Sequence, residues 1–261
     1  MGALLRMEDV TVIRDGKRIL GPITWSLQEG ERWVIIGPNG AGKTTFLQLV
    51  GAMIHPSSGR VEILGSKLGA VDVFELRPRI GISSSALQEL FPRDERVIDL
   101  VLTAAYAVTG RWVEEYDLWD ESRAKALLDI FGVRELAARS YGTLSEGERK
   151  RVQIARALMA DPEIILFDEP AAGLDLGGRE DILERISRFL EEDLAPASLM
   201  VTHHIEEIPR GTTHVLLLNT GEIFASGKIS SVLTEDNLNK LFSTNIQLSF
   251  DGTRYSAVSR R

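Results

Sequence analysis

Residues 37–45 read GPNGAGKTT, preceded by the apolar run RWVII and followed by FLQLV. A buried strand that ends on glycine and turns at once into a helix constrains the chain more than any other feature here. The spacing G-x-x-x-x-G-K-[ST] leaves a loop without bulky side chains. Successive backbone N–H groups can curl around phosphate oxygens there, and the helix N-terminus adds a favourable field. Gly37, Pro38, Asn39, Gly40, Ala41, Gly42, Lys43, Thr44 and Thr45 are therefore candidate phosphate-binding residues. Lys43 is expected to reach the β- and γ-phosphates of a nucleotide, and Thr44 to offer its hydroxyl to Mg²⁺.

Around this unit the chain alternates strand-like and helix-like segments. DVTVIRDGKRILGPITWSLQEGERWVIIG reads as short strands broken at Asp15-Gly16 and Glu29-Gly30, residues 43–53 as a helix, and RVEILG as another strand. From about residue 84 the texture is helical, through VIDLVLTAAYAV, ESRAKALLDIFG and EGERKRVQIARALMA. Strands return at EIILFDEP, ASLMVTHH and HVLLLNTGEIFASG, with a possible final hairpin in IQLSFDGTRYSAV. This alternation predicts an α/β fold. Residues 1–83 and 160–261 form the core, a mainly parallel sheet preceded by an antiparallel β subdomain, and residues 84–159 form an inserted helical subdomain.

The second chemical motif is IILFDEP, residues 164–170. Four apolar residues make a buried strand that delivers Asp168 and Glu169 at its carboxyl end, where sites lie in nucleotide-binding α/β sheets. Asp168 fits the acid that holds Mg²⁺, and Glu169, pointing elsewhere, can polarise a water. VTHH, residues 201–204, ends the next strand and sets His203 on the same sheet edge, where it can sense a γ-phosphate. His204, His55 and His214 read as ordinary polar residues. A third motif, LSEGE (144–148), carries the S-x-x-E capping box through Ser145 and Glu148 at the start of a helix.

Taken in order, GPNGAGKTT, LSEGERKRVQIARAL, IILFDEP, GLD and VTH resemble the nucleotide-binding subunits of ABC transporters, over about residues 7–258. The resemblance implies ATP and Mg²⁺ as ligands, and an ATPase with Lys43, Glu169 and His203 as its catalytic residues. Glu169 corresponds to the catalytic glutamate, His203 to the switch histidine, and Asp175 to the D-loop aspartate near a dimer axis. LSEGE corresponds to the signature LSGGQ, so Ser145, Gly147 and Glu148 would act on ATP held by a second copy in a head-to-tail dimer.

Three departures from the family pattern stand out. Arg14 falls where an aromatic residue stacks on adenine; its guanidinium can stack in that way, or it is a solvated turn residue. No glutamine stands at the expected Q-loop position, so Ser85 replaces it or Gln88 serves. Glu146 lies beside the bound triphosphate of such a dimer, and its side chain is therefore expected to point to solvent.

The remaining composition narrows the class of ABC protein. No stretch reaches the length of a membrane span, so attachment would come from integral membrane permease subunits. They would meet the chain around Leu87 to Val97, and through Trp112, Tyr116 and Trp119, unless these aromatics pack the helical insertion internally. The tail GKISSVLTEDNLNKLF is similar to uptake ATPases for iron chelates and cobalamin, and import is favoured. A soluble ABC ATPase of iron–sulfur cluster assembly is the alternative, because GERKR resembles the signatures found there. A net charge of −8 argues against nucleic acid as partner. The absence of cysteine excludes disulfides, Cys-ligated zinc and thiol catalysis. MGALLRMEDV lacks the long apolar run of a secretory leader, and Arg6 stands where a myristoylation motif needs Ser or Thr. The expected location is the cytoplasm, peripheral at the membrane face.

Overall fold

The computed structural model describes residues 2–106 and 118–260. Alternating apolar and polar residues at the N-terminus give a sheet with one covered face. Strands β1 (Leu5–Arg14) and β2 (Lys17–Leu27) form an antiparallel hairpin. Both residues of its turn, Asp15 and Gly16, have positive φ (50° and 72°), which matches the twist a two-residue hairpin needs. Strand β3 (Arg32–Ile36) opens a second sheet and leads into α1 (Lys43–Val50). Strands β4 (Ser58–Ile63) and β5 (Ser66–Lys67) return to the first sheet, whose order is β2-β1-β4-β5.

After α2 (Val73–Leu76) and β6 (Ile80–Ser83) come the short α3 (Ser85–Gln88), α4 (Val97–Leu102), α5 (Leu118–Ile130) and α6 (Glu146–Ala157). The only extended pairing among the described residues of this stretch is a single bridge between Arg96 and Ser140. Strand β7 (Ile164–Asp168), α7 (Leu176–Leu190), and β8 (Ala197–Val201) resume the α/β alternation. Strands β9 (His214–Asn219) and β10 (Glu222–Lys228) form a hairpin. Helices α8 (Ile229–Val232) and α9 (Glu235–Phe242) then lead to a terminal hairpin of β11 (Ile246–Phe250) and β12 (Tyr255–Ser259). Among the described residues no helix is long and apolar enough to cross a membrane.

The second sheet has the order β10-β9-β3-β8-β7-β6. Its strands from β9 to β6 are parallel and β10 is an antiparallel edge. Covered on both faces, it divides two cores, and successive residues of one strand serve opposite sides. In β7, Ile164 and Leu166 pack with Phe46 of α1 and Trp25 of the antiparallel sheet, whereas Ile165 and Phe167 pack with α4, α6 and α7. The α/β class with a mainly parallel sheet and an antiparallel β subdomain is thus as expected.

Helix α1 is shorter than its sequence suggests. It stops at Val50 rather than residue 53, because Gly51 lies against the side chains of Ile82 and Leu166 and Ala52 takes a positive φ of 51°. The helical pattern from residue 97 likewise tightens into a 3₁₀ turn at Thr103–Tyr106, where the Thr103 hydroxyl donates back to the Leu100 carbonyl at 2.7 Å.

Candidate active site

The loop between β3 and α1 is shaped by close backbone approaches. A Cβ on Gly37 would lie 2.1 Å from the Leu218 carbonyl of β9, so only glycine fits there. Gly40 and Gly42 hold φ of 79° and 97°, the left-handed conformations that turn successive amides toward one centre. The Gly221 amide donates to Ala41 O at 3.0 Å and the Gly21 amide to Gly221 O at 2.7 Å, which anchors the loop to both sheets. Helix α1 has no side-chain cap and no acidic residue in its first turn. Its first amides and the positive end of its dipole therefore remain available to an anion.

Lys43 is buried, and its ammonium donates to Gly37 O at 2.7 Å and Pro38 O at 3.0 Å. Burial pushes its pKa down, and the carboxylates of Glu169 and Asp168 push it back up. Thr44 is exposed at the start of the helix, and Thr45 is buried.

The parallel register brings the acids to this loop. Ile35 pairs with Val201 and Asp168 pairs with Val201, so β3, β8 and β7 end together. The Glu169 amide donates to Val201 O at 3.0 Å, and His203 Nε2 lies in hydrogen-bonding contact with Glu169 Oε1. Glu169 has a φ of 51°, which turns its side chain away from the line of β7. Burial raises the Asp168 pKa, with Glu169 adding to the rise, while His203, Lys43 and Lys150 oppose it. Lys43, Asp168, Glu169 and His203 thus share one edge and one electrostatic environment.

LSEGE forms the cap its pattern predicts. Ser145 precedes α6, its amide donates to Glu148 Oε2 at 2.7 Å, and its hydroxyl accepts from the Glu148 amide at 3.4 Å. The Ser145 amide, and the Ser145 hydroxyl donating to the same Oε2 at 2.8 Å, lower the Glu148 pKa against the effect of burial, with Arg139 and Arg151 adding to the lowering. Gly147 faces Leu174, just before Asp175, whose carboxylate caps α7 by accepting from the Gly178 amide at 2.7 Å. The D-loop candidate therefore sits beside the signature segment.

Glu146 faces solvent in part, and its carboxylate also has partners. It is exposed, but both carboxylate oxygens lie 3.3 Å from Gln88 Nε2, and Arg149 is 3.9 Å away. Of the two Q-loop candidates, Ser85 opens α3 and Gln88 closes it, and both line a cavity of about 330 Å³ with Glu146, Tyr141 and Arg149. Gln88 is thus turned toward the signature segment. Arg14 ends β1, exposed, and donates to Gln48 Oε1 of α1 at 2.9 Å, which sets its guanidinium against the phosphate-loop helix. Trp112 and Tyr116 lie outside the described residues, and Trp119 is exposed at the start of α5.

Three polar residues that the sequence patterns did not single out are buried near this edge. Lys150 of α6 donates to Glu169 O at 3.1 Å, Gln153 donates to Ser84 O, and Glu207 accepts from the Thr202 hydroxyl. The signal for Lys150 was available: it shares a helix face with Ile154 and Ala157, where a charge needs a buried partner.

The profile of the ABC transporter family matches residues 20–172. The chain is 42% identical over 253 residues to the ABC transporter ATP-binding protein YlmA of Bacillus subtilis, covering 96% of this chain and 95% of that one. It is 32% identical over 239 residues to the phosphonates import ATP-binding protein PhnC of Treponema denticola, covering 89% and 92%. Its fold superposes with a TM-score of 0.74 on the dimeric ATP-binding cassette MJ0796 in a post-hydrolysis state with ADP and Pi, at 26% identity over 86% of this chain and 98% of that one. The chain belongs to the ABC transporter family, as an ATP-binding subunit with ATPase activity.

Proposed function

We propose that the chain powers import of a small solute or metal chelate through membrane permease subunits, and that it works as a head-to-tail dimer at the cytoplasmic face. The observation that carries the catalytic part is the meeting of Lys43, Asp168, Glu169 and His203 at the ends of β3, β7 and β8. Glu169 orients and deprotonates a water for in-line attack on the γ-phosphate, and His203 holds its carboxylate. Lys43 and the loop amides stabilise charge on the phosphates.

Thr44 and Asp168 offer the hard oxygen donors that suit Mg²⁺. An ion that arrives with nucleotide needs only one or two protein ligands. Bound there, Mg²⁺ would neutralise phosphate charge. Ser145 is committed to its own cap at the start of α6, and we assign that helix terminus, with Gly147 and Glu148, to ATP on the second copy.

A membrane partner is supported by an apolar groove of about 380 Å³ where α3 meets the core. Leu87, Leu90, Met53 and Pro78 are among its lining residues, and Leu90 is 65% exposed. Trp119 is not among its lining residues. The import relative supports the direction of transport.

Purified Glu169→Gln protein tests the catalytic assignment. It is expected to bind ATP normally, to hydrolyse it roughly 10²-fold more slowly or worse, and to accumulate as an ATP-bound dimer in size-exclusion chromatography. Turnover at the wild-type rate would overturn the assignment.

A further inference from the structure

Lys150 stands on α6, five residues beyond the cap residue Ser145, with 4% of its surface exposed. A buried ammonium is costly unless paired, and burial does depress its pKa, against the opposing pull of Glu146, Glu169, Glu207 and Asp168. Its hydrogen bond goes to a backbone atom, the Glu169 carbonyl, at 3.1 Å. That carbonyl also accepts from the Ala172 amide at 3.2 Å, and the Glu169 amide is held by Val201 O. The residue so bracketed has a φ of 51°, a conformation that a non-glycine residue keeps only when its surroundings enforce it.

The same charge faces the neighbouring loop. Glu207, itself 4% exposed, accepts from the Thr202 hydroxyl, and that hydroxyl accepts from the His204 amide at 3.1 Å. This pair therefore flanks His203, which in turn contacts Glu169.

We propose that Lys150 is a positioning residue for hydrolysis, fixing the Glu169 backbone from the signature helix of the same chain. The inference rests on Glu169 being the base. It gives α6 a direct mechanical link to the base: a shift of the Ser145 end on engagement of a second copy's ATP moves the ammonium that holds Glu169.

The test is a double-mutant cycle in the full-length protein, with steady-state ATPase rates, calorimetric ATP affinity and thermal melting. Lys150→Met is expected to lower kcat about tenfold or more while KM and ATP affinity stay within about twofold. Lys150→Gln, which keeps a neutral donor, should fall between Met and wild type. Combined with Glu169→Gln, either substitution should slow the residual rate no further, because its effect passes through Glu169. Should the Met variant fail to fold, the cycle is read with the Gln variant.

Wild-type kcat in the Lys150 variants would overturn the proposal. So would an equal further loss on the Glu169→Gln background, or a loss confined to KM. Full turnover by Glu169→Gln alone would instead overturn the base assignment, which keeps the two failures distinct.

Discussion

His203 Nε2 contacts Glu169 Oε1 across the ends of two adjacent parallel strands, and each side chain is about one-third exposed (33% and 32%). The imidazole is thus placed to fix one carboxylate oxygen and leave the other for water. His203→Ala should leave ATP affinity near wild type and reduce kcat by about tenfold or more, since general-base action depends on that orientation. His203→Gln, which can still donate to Oε1, should retain more activity than Ala. Single-turnover hydrolysis with saturating ATP makes the comparison, and equal rates for Ala and wild type would remove His203 from the site.

Gly37 shows how packing and phosphate chemistry share one loop. Its missing side chain makes room for the Leu218 carbonyl of β9, 2.1 Å from where a Cβ would stand. Gly37→Ala should therefore be destabilising, by about 1–3 kcal/mol as for other overpacked sites, even without nucleotide. Gly40→Ala meets open space, and its cost comes only from a φ of 79°. Chemical denaturation of the nucleotide-free variants should rank Gly37→Ala as the less stable.

The contrast between these glycines marks what the sequence could reveal. The phosphate loop, the strand ending in Asp168 and Glu169, and the cap at Ser145 are local patterns, and a few adjacent residues suffice to read them. Lys150, Gln153 and Glu207 act through partners 19, 69 and 5 residues away. Two of those separations are visible only after β6 and β7 have paired and α6 has packed on them. The end of α1 is hidden from the local pattern for the same reason: Gly51 is crowded by Ile82 and Leu166, which neighbour it only in the fold. The choice between Ser85 and Gln88 was open because both belong to one short helix, and the side-chain direction of Gln88 toward Glu146 is a tertiary fact.

The capping box at Ser145 carries a pH signature. The Glu148 pKa is lowered below its ordinary 4.5, chiefly by the Ser145 amide. A carboxylate depressed on folding contributes stability that is present above its unfolded pKa and is lost as pH falls through the folded value. Ser145→Ala should cost about 1 kcal/mol near neutrality, as for other N-caps. The gap between Glu148→Gln and wild type should begin to shrink as pH falls through about 4.5, the unfolded value, and close only below the lower folded value, where both side chains are neutral. Urea midpoints measured from neutral to acidic pH give both comparisons, and a gap that widened on acidification would have the wrong sign.

Glu146 lies one residue beyond the cap that we assign to a second copy's ATP, where an unpaired carboxylate would repel the triphosphate. Its oxygens are instead turned toward Gln88 and Arg149, at 3.3 and 3.9 Å. The side chain is partly exposed, so solvent screening weakens its field at any distance. Glu146→Gly should then raise ATP affinity of the closed dimer by less than about tenfold, a difference of about 1.4 kcal/mol. Its larger effect should be on α3, where Gln88 loses its acceptor. Glu146→Gln, which removes the charge but keeps an acceptor for Gln88, separates the two consequences. ATP titration of both variants on the Glu169→Gln background, where hydrolysis does not interfere, gives the answer. A gain well beyond tenfold in both would mean that the carboxylate acts on the nucleotide directly; a gain in Gly alone would place its action in the contact with Gln88.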